Sequence, residues 1–191
     1  MEIDCIEQFG NEKGNEIFQD AETIYQELLQ NADYRNSDAI RGHMQLNLFP
    51  TMAYYKALRL EGLTQDSTLE YVRKETQKVA YSKKGDMSKL AKMPFTYTIY
   101  RMGVKKHIHK NFPDEGWKPE WVVCNNKQIQ FNLHRCVYVD LTHKYECPEL
   151  CCVFCENDNI SFSGLLPKIR FERTGTLESG APYCDFCFTK V

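Results

Sequence analysis

At 191 residues, 42% of them hydrophobic and 13% aromatic, the chain is long enough to bury one core and too apolar to stay disordered beyond its first dozen residues. A formal charge of −2 gives no reason to expect a nucleic-acid partner. The absence of any run of about 18 apolar residues excludes a membrane span.

The start, Met1-Glu2-Ile3-Asp4-Cys5, lacks the basic and apolar regions of a signal peptide. The expected setting is therefore the cytoplasm, where thiols stay mostly reduced. Nine cysteines, an odd number, also fit a closed disulfide framework poorly. Residues 1–15, polar and carrying Gly10 and Gly14, read as a loose lead-in. Ile17, Ala21, Ile24 and Leu28 then recur at helical spacing and predict a first helix ending near Asn31. A second helix is expected around 38–60, with Leu48, Met52 and Tyr55 as its buried stripe and Pro50 as a kink or restart. Ser67 to Glu70 has the form of a capping box, ahead of Leu69, Val72, Thr76 and Val79, which predicts a third helix over 65–83. Pro94 sits as a first-turn proline before Phe95, Ile99 and Met102 on a fourth helix.

After Gly116 the period changes. Trp121–Cys124, the turn Asn125-Asn126-Lys127 and Gln128–Cys136 predict a β-hairpin. Alternation places Gln128, Gln130, Asn132, His134 and Cys136 on one face, to meet water or line a pocket. From Tyr138 to Asp158 the pattern is helical again, with Pro148 opening a short helix and Cys147, Cys151 and Cys155 four residues apart. Strands around 168–176 and 182–190, joined by a Glu178-Ser179-Gly180 turn, complete a single α+β domain over 1–191. Its helices fill 16–110, and a small antiparallel sheet belongs to the cysteine-rich part, 117–191.

Seven of the nine cysteines lie between Cys136 and Cys187. Cys152-x-x-Cys155 and Cys184-x-x-Cys187 have zinc-site spacing. The second pair, however, falls in a strand-like alternation, where positions three apart face opposite ways. Cys151, Cys152 and Cys187 read as small core residues. Cys136, Cys155 and Cys184 stand at a strand end, a helix end and a strand start, where residues from separate elements converge. A nucleophilic thiolate there needs a basic neighbour such as Arg173, Arg135 or His134, because an acid alone raises a thiol pKa. His107 and His109, two apart in Lys105-Lys106-His107-Ile108-His109-Lys110, share no helix face and read as a solvated basic helix end.

Arg173-Thr174-Gly175-Thr176-Leu177-Glu178-Ser179-Gly180, followed by Tyr183-Cys184-Asp185-Phe186-Cys187-Phe188, resembles the closing signature of the L-2-amino-thiazoline-4-carboxylic acid hydrolase family. Also similar, in order, are Leu48–Leu58, Phe112-Pro113-Asp114-Glu115-Gly116-Trp117, His134-Arg135-Cys136, Pro148-Glu149-Leu150 and Cys155-x-x-Asp158. Cys187 stands where the pattern has arginine, and Ser179 where glutamate is common. The resemblance implies a hydrolase that opens a cyclic amidine carbon to a carbamoyl-cysteine. Cys155 or Cys136 would be nucleophile, Asp158 general acid/base and Cys184 a further member of the thiol cluster. Arg173 would hold the substrate carboxylate, with His134 and Asp185 as further substrate contacts.

No cofactor is required by the sequence. Two readings stand beside this one: a metal or iron–sulfur module ligated by Cys136, Cys155 and Cys184, and a non-catalytic small-molecule binder. The expected partner is a small molecule, with neither nucleic acid nor membrane, and a homodimer is left open.

Overall fold

The computed structural model describes residues 2–191, with side chains from Asp4 onward. The chain divides into two compact units, 1–76 and 77–191. Its class is α+β, with helices through the N-terminal part and a four-stranded antiparallel sheet in the C-terminal half.

The first unit opens with α1 (Glu2–Phe9) and α2 (Asn11–Gln30), where the glycine-rich start was expected to be loose. Gly10, at φ 81°, supplies the left-handed turn between them. A Cβ on Gly14 would come within 2.7 Å of the Cys5 backbone. The two glycines therefore build a tight helical hairpin, and Cys5 and Ile17 are fully buried within the unit. Ser37 caps α3 (Asp38–His43), its Oγ accepting from the Ile40 N–H at 3.3 Å.

A π-turn over Met44–Leu48 leads directly into α4 (Phe49–Leu60). Pro50 stands in the first turn of α4, so the helix restarts there as expected: its missing N–H falls where no intrahelical partner is needed. α5 (Gln65–Ala91) runs longer than expected, and its cap lies three residues before the Ser67–Glu70 box. Thr64 Oγ1 accepts from the Ser67 N–H at 3.3 Å.

In the second unit α6 (Thr96–Asn111) follows a left-handed Phe95, φ 58°, so Pro94 precedes the helix rather than filling its first turn. Thr96 Oγ1 instead donates back to the Leu90 carbonyl at 3.1 Å, at the end of α5, and to the Met93 carbonyl at 2.7 Å in the turn after it. Tyr97, Val104 and Ile108 turn inward, while Phe95, Ile99 and Met102 face outward. Strands β1 (Pro119–Cys124), β2 (Gln128–Leu133), β3 (Ile169–Glu172) and β4 (Cys184–Lys190) form a sheet in the order β1-β2-β4-β3. Asn125 Oδ1 accepts the Lys127 and Gln128 N–H groups and closes the expected hairpin turn.

Cross-strand pairing sets Leu133 opposite Cys184, Phe131 opposite Phe186 and Ile129 opposite Phe188, with Phe171 opposite Phe188 on the other side. This apolar face is the core of the unit. The Phe131 and Phe186 rings stack at 5.2 Å, Tyr100 of α6 meets Phe188 at 5.2 Å, and Phe162 meets it edge-on at 5.0 Å. Each such ring contributes roughly 1.5–3 kcal/mol by burial. α7 (Val137–Lys144), a short 3₁₀ turn (Pro148–Leu150) and α8 (Cys151–Ser163) connect β2 to β3. Gly164 ends α8 against α5, where a Cβ would collide with the Lys84 carbonyl oxygen. No helix among the described residues is long and apolar enough to cross a membrane.

Candidate active site

β2 ends at Leu133, three residues sooner than the sequence alternation suggests. Cys136 therefore leaves the face of Gln128, Gln130 and Asn132 and becomes the N-cap residue of α7, with extended backbone (φ −143°, ψ 114°). The N–H groups of Tyr138 and Val139, in the first helical turn, favour its thiolate. The larger influence is the neighbouring Cys151 thiol. Together these hold the Cys136 thiol below its ordinary pKa against the cost of burial. Cys151 takes the opposite part. Its contacts with Cys136 and Cys155, with burial, keep it protonated far above the usual range.

α8 delivers that second thiol by periodicity. Cys151, Cys155 and Asp158 recur at four and three residues and share one helix face. Arg173, in the segment after β3, reaches across to this face. Its Nη1 donates to Asp158 Oδ2 at 3.0 Å and its Nη2 to the Cys155 carbonyl at 2.8 Å. The guanidinium lies over the Phe186 ring at 5.0 Å and the Phe171 ring at 5.8 Å, and only 5% of the side chain is accessible. An arginine so enclosed, with both terminal nitrogens engaged, orients Asp158.

Asp158 keeps 42% of its side-chain surface accessible. Burial is nevertheless the main influence on its carboxyl and pushes it above the ordinary carboxylate range, against the charge and hydrogen bond of Arg173. A group that touches solvent-sized space while crowded by protein lines a recess. Tyr138 and Tyr100 have the same character. Both are partly accessible, and both phenols are raised well above their usual pKa by burial first, then by the Asp158 charge at Tyr100 and by the Cys136 and then the Asp158 charge at Tyr138. They stay protonated and serve as donors.

Cys184, at the start of β4, closes the apolar side of the cluster. Its sulfur accepts the Leu177 N–H at 3.2 Å. Burial pushes the thiol up to about 12, reinforced by charge at Cys136 and Cys155 and only partly offset by Leu177 and Arg173. Cys136, Cys155, Asp158, Arg173 and Cys184 are thus brought together.

Two other expected contacts lie elsewhere. Asp185 points to the opposite sheet face and is taken up by the preceding loop, between β3 and β4. Its Oδ1 accepts the Gly175 N–H at 2.7 Å, and its Oδ2 accepts the Thr174 hydroxyl at 2.6 Å. His134 Nε2 meets Glu120 Oε2 at 2.7 Å beside the Tyr183 ring. Cys187, where the family pattern has arginine, shares the Asp185 face and accepts from Gln128 Nε2 at 3.1 Å. The missing arginine is therefore no loss to the thiol cluster.

Cys151 is a core residue, as expected, at 1% exposed; sequence reasoning missed its closeness to Cys136 and missed both tyrosines. The four-residue step from Cys151 to Cys155 was the available signal for the thiol. Tyr138, two residues after a helix-capping cysteine, carried no signal until the end of β2 was known.

Among the described residues no group of three or more histidine, cysteine, aspartate or glutamate side chains is arranged to hold a metal ion. A depressed thiol, a protonated thiol beside it, a carboxyl of raised pKa and two phenols in one recess supply a nucleophile, an acid/base and hydrogen-bond donors. No curated relative and no solved structure matches the chain. The family model of L-2-amino-thiazoline-4-carboxylic acid hydrolase matches residues 41–188, which include all of these site residues. On that match, the chain belongs to the L-2-amino-thiazoline-4-carboxylic acid hydrolase family.

Proposed function

We propose that the protein hydrolyses a cyclic amidine, L-2-amino-thiazoline-4-carboxylate or a close analogue, with Cys136 as nucleophile. The observation that carries this reading is the placement of Cys136 as the N-cap residue of α7, beside the Cys151 thiol. Among the clustered thiols it has peptide N–H groups, a neighbouring thiol and partial accessibility together.

In the reading, the Cys136 thiolate adds to the amidine carbon. The ring C–S bond then breaks, its electron pair leaving on the substrate sulfur as a thiolate, which the Tyr138 hydroxyl receives as a hydrogen-bond donor. An amidino group remains on Cys136. Water adds to the same carbon, giving one proton to Asp158; the hydroxyl proton passes to the former ring nitrogen as the bond to Cys136 breaks and the carbamoyl group forms. Asp158 then returns its proton to the product thiolate, so that one water is consumed and both the Cys136 thiolate and the Asp158 carboxylate are regenerated. Arg173 is a positioning residue: it holds Asp158 toward the recess, and its own exposure leaves the substrate carboxylate little access.

The test is ring opening by purified protein, followed as thiol release with the carbamoyl product identified by mass spectrometry. Turnover lost in Cys136→Ala, with a mass adduct on Cys136 accumulating in Asp158→Asn, is the expected result. Undiminished turnover in Cys136→Ala would sink the nucleophile assignment. Absence of turnover in the unmodified protein would sink the substrate.

A further inference from the structure

Away from the thiol cluster, α6 and the turn before it concentrate positive charge. Between Lys83 and Lys110 stand eight lysine and arginine residues and a single acid, Asp86, in a chain whose formal charge is −2. Within this basic stretch lies apolar surface that the fold does not use. Phe95 is 82% and Met102 76% exposed, with Ile99 and Met93 also open. The spacing 95, 99, 102, 106 makes these side chains one stripe on the outer face of α6, opposite the buried Tyr97, Val104 and Ile108. Lys106 continues the stripe, and Lys105, His109 and Lys110 flank it, all exposed. At the N-terminal end Lys92 and Lys89 stand beside Met93 and Phe95, again exposed. The helix is therefore apolar on both sides of its first two turns and basic on the outer side of its last two.

We infer that the outer face of α6, with the Lys92–Phe95 turn, docks on an anionic lipid surface. Two features select lipid among polyanions. Side chains exposed to this degree stand off the surface and fill no groove, as insertion into a fluid layer needs and as docking of a peptide's side chains does not. The lysines ring the apolar stripe at its two ends, where they meet headgroups while the stripe enters the acyl boundary. A nucleic acid would use the lysines but has no use for Met93, Ile99 and Met102.

Co-flotation of the purified full chain with vesicles tests this. Phosphatidylcholine vesicles containing about 30% phosphatidylserine should bind it, and vesicles of phosphatidylcholine alone should not. Raising the salt to about 0.5 M should weaken binding. Lys106→Glu with Lys110→Glu, and separately Phe95→Asn with Met102→Gln, should each lower binding by about tenfold or more. All four positions are exposed, so the helical circular dichroism should be unchanged, and so should turnover in the recess assay. Two results would overturn the inference: no binding of the unmodified chain to anionic vesicles at low salt, or binding that persists in the Phe95→Asn, Met102→Gln variant. Preference for single-stranded RNA over the vesicles would likewise overturn it.

Discussion

The start of α7 and the start of β4 each bring a cysteine to the same recess, and they treat it oppositely. At the head of α7 the Cys151 thiol and the helical N–H groups hold the Cys136 thiol below its ordinary pKa. At the head of β4 the Cys184 sulfur has one N–H, from Leu177, and is otherwise enclosed by apolar side chains, which keep it a thiol at neutral pH. The same residue type in one cluster is therefore pushed down or up in pKa according to the neighbouring thiol and peptide N–H groups on one side and burial on the other. Neighbouring negative charge does not help either one: Asp158 raises Cys136, and charge at Cys136 and Cys155 raises Cys184.

Mutations can break this contrast. Cys136→Ala should abolish turnover, by about 10³-fold or more, whereas Cys184→Ser should leave it within about fivefold. Asp158→Asn should cost on the order of 10²- to 10³-fold, with Arg173→Lys retaining part of the rate because a cation still holds the carboxyl. Tyr138→Phe removes one donor and should cost about tenfold, all of it in kcat if the hydroxyl serves the departing sulfur.

The opposite side of β4 gives the smallest effect on rate and a measurable one on stability. Burial pushes the Asp185 carboxyl up, but hydrogen bonds from Thr174 and Gly175 outweigh it and hold the pKa below the ordinary value. Its stabilisation is thus present above the ordinary carboxylate pKa and is lost as pH falls through the lowered one. Asp185→Asn should lower unfolding stability by about 1–3 kcal/mol near neutral pH, measured by denaturant melts, with the difference shrinking in acid. A stability loss that stays constant down to the acid limb would contradict that account.

What could be read in the sequence follows from which signals are local. The thiol–acid face of α8 was legible because helical periodicity alone puts Cys151, Cys155 and Asp158 together. The β-hairpin was legible because alternation and an Asn-rich turn both mark it. The α1–α2 hairpin was not: Gly10 and Gly14 look like loosening residues until the close approach they permit at Cys5 is seen. The stripe of Phe95, Ile99 and Met102 was found, but periodicity defines a face without saying whether core or solvent lies on it. Cys136 was picked out and placed in the wrong element. Strand alternation runs smoothly through His134, and nothing local marks the end of β2 at Leu133. The contacts of Arg173 with Asp158 and the Cys155 carbonyl join segments 15 and 18 residues apart, and no spacing rule reaches them.

The central claim is that Cys136 is the thiolate of the cluster. The most direct measurement is the pH dependence of alkylation by iodoacetamide, with each modified cysteine located by peptide mass spectrometry. Cys136 should be labelled before Cys155 and Cys184, with a rate that titrates below the range of an ordinary thiol and falls when Cys151 is replaced by alanine. Labelling led by Cys155 or Cys184, or a Cys136 rate that rises only in the ordinary thiol range, would contradict it.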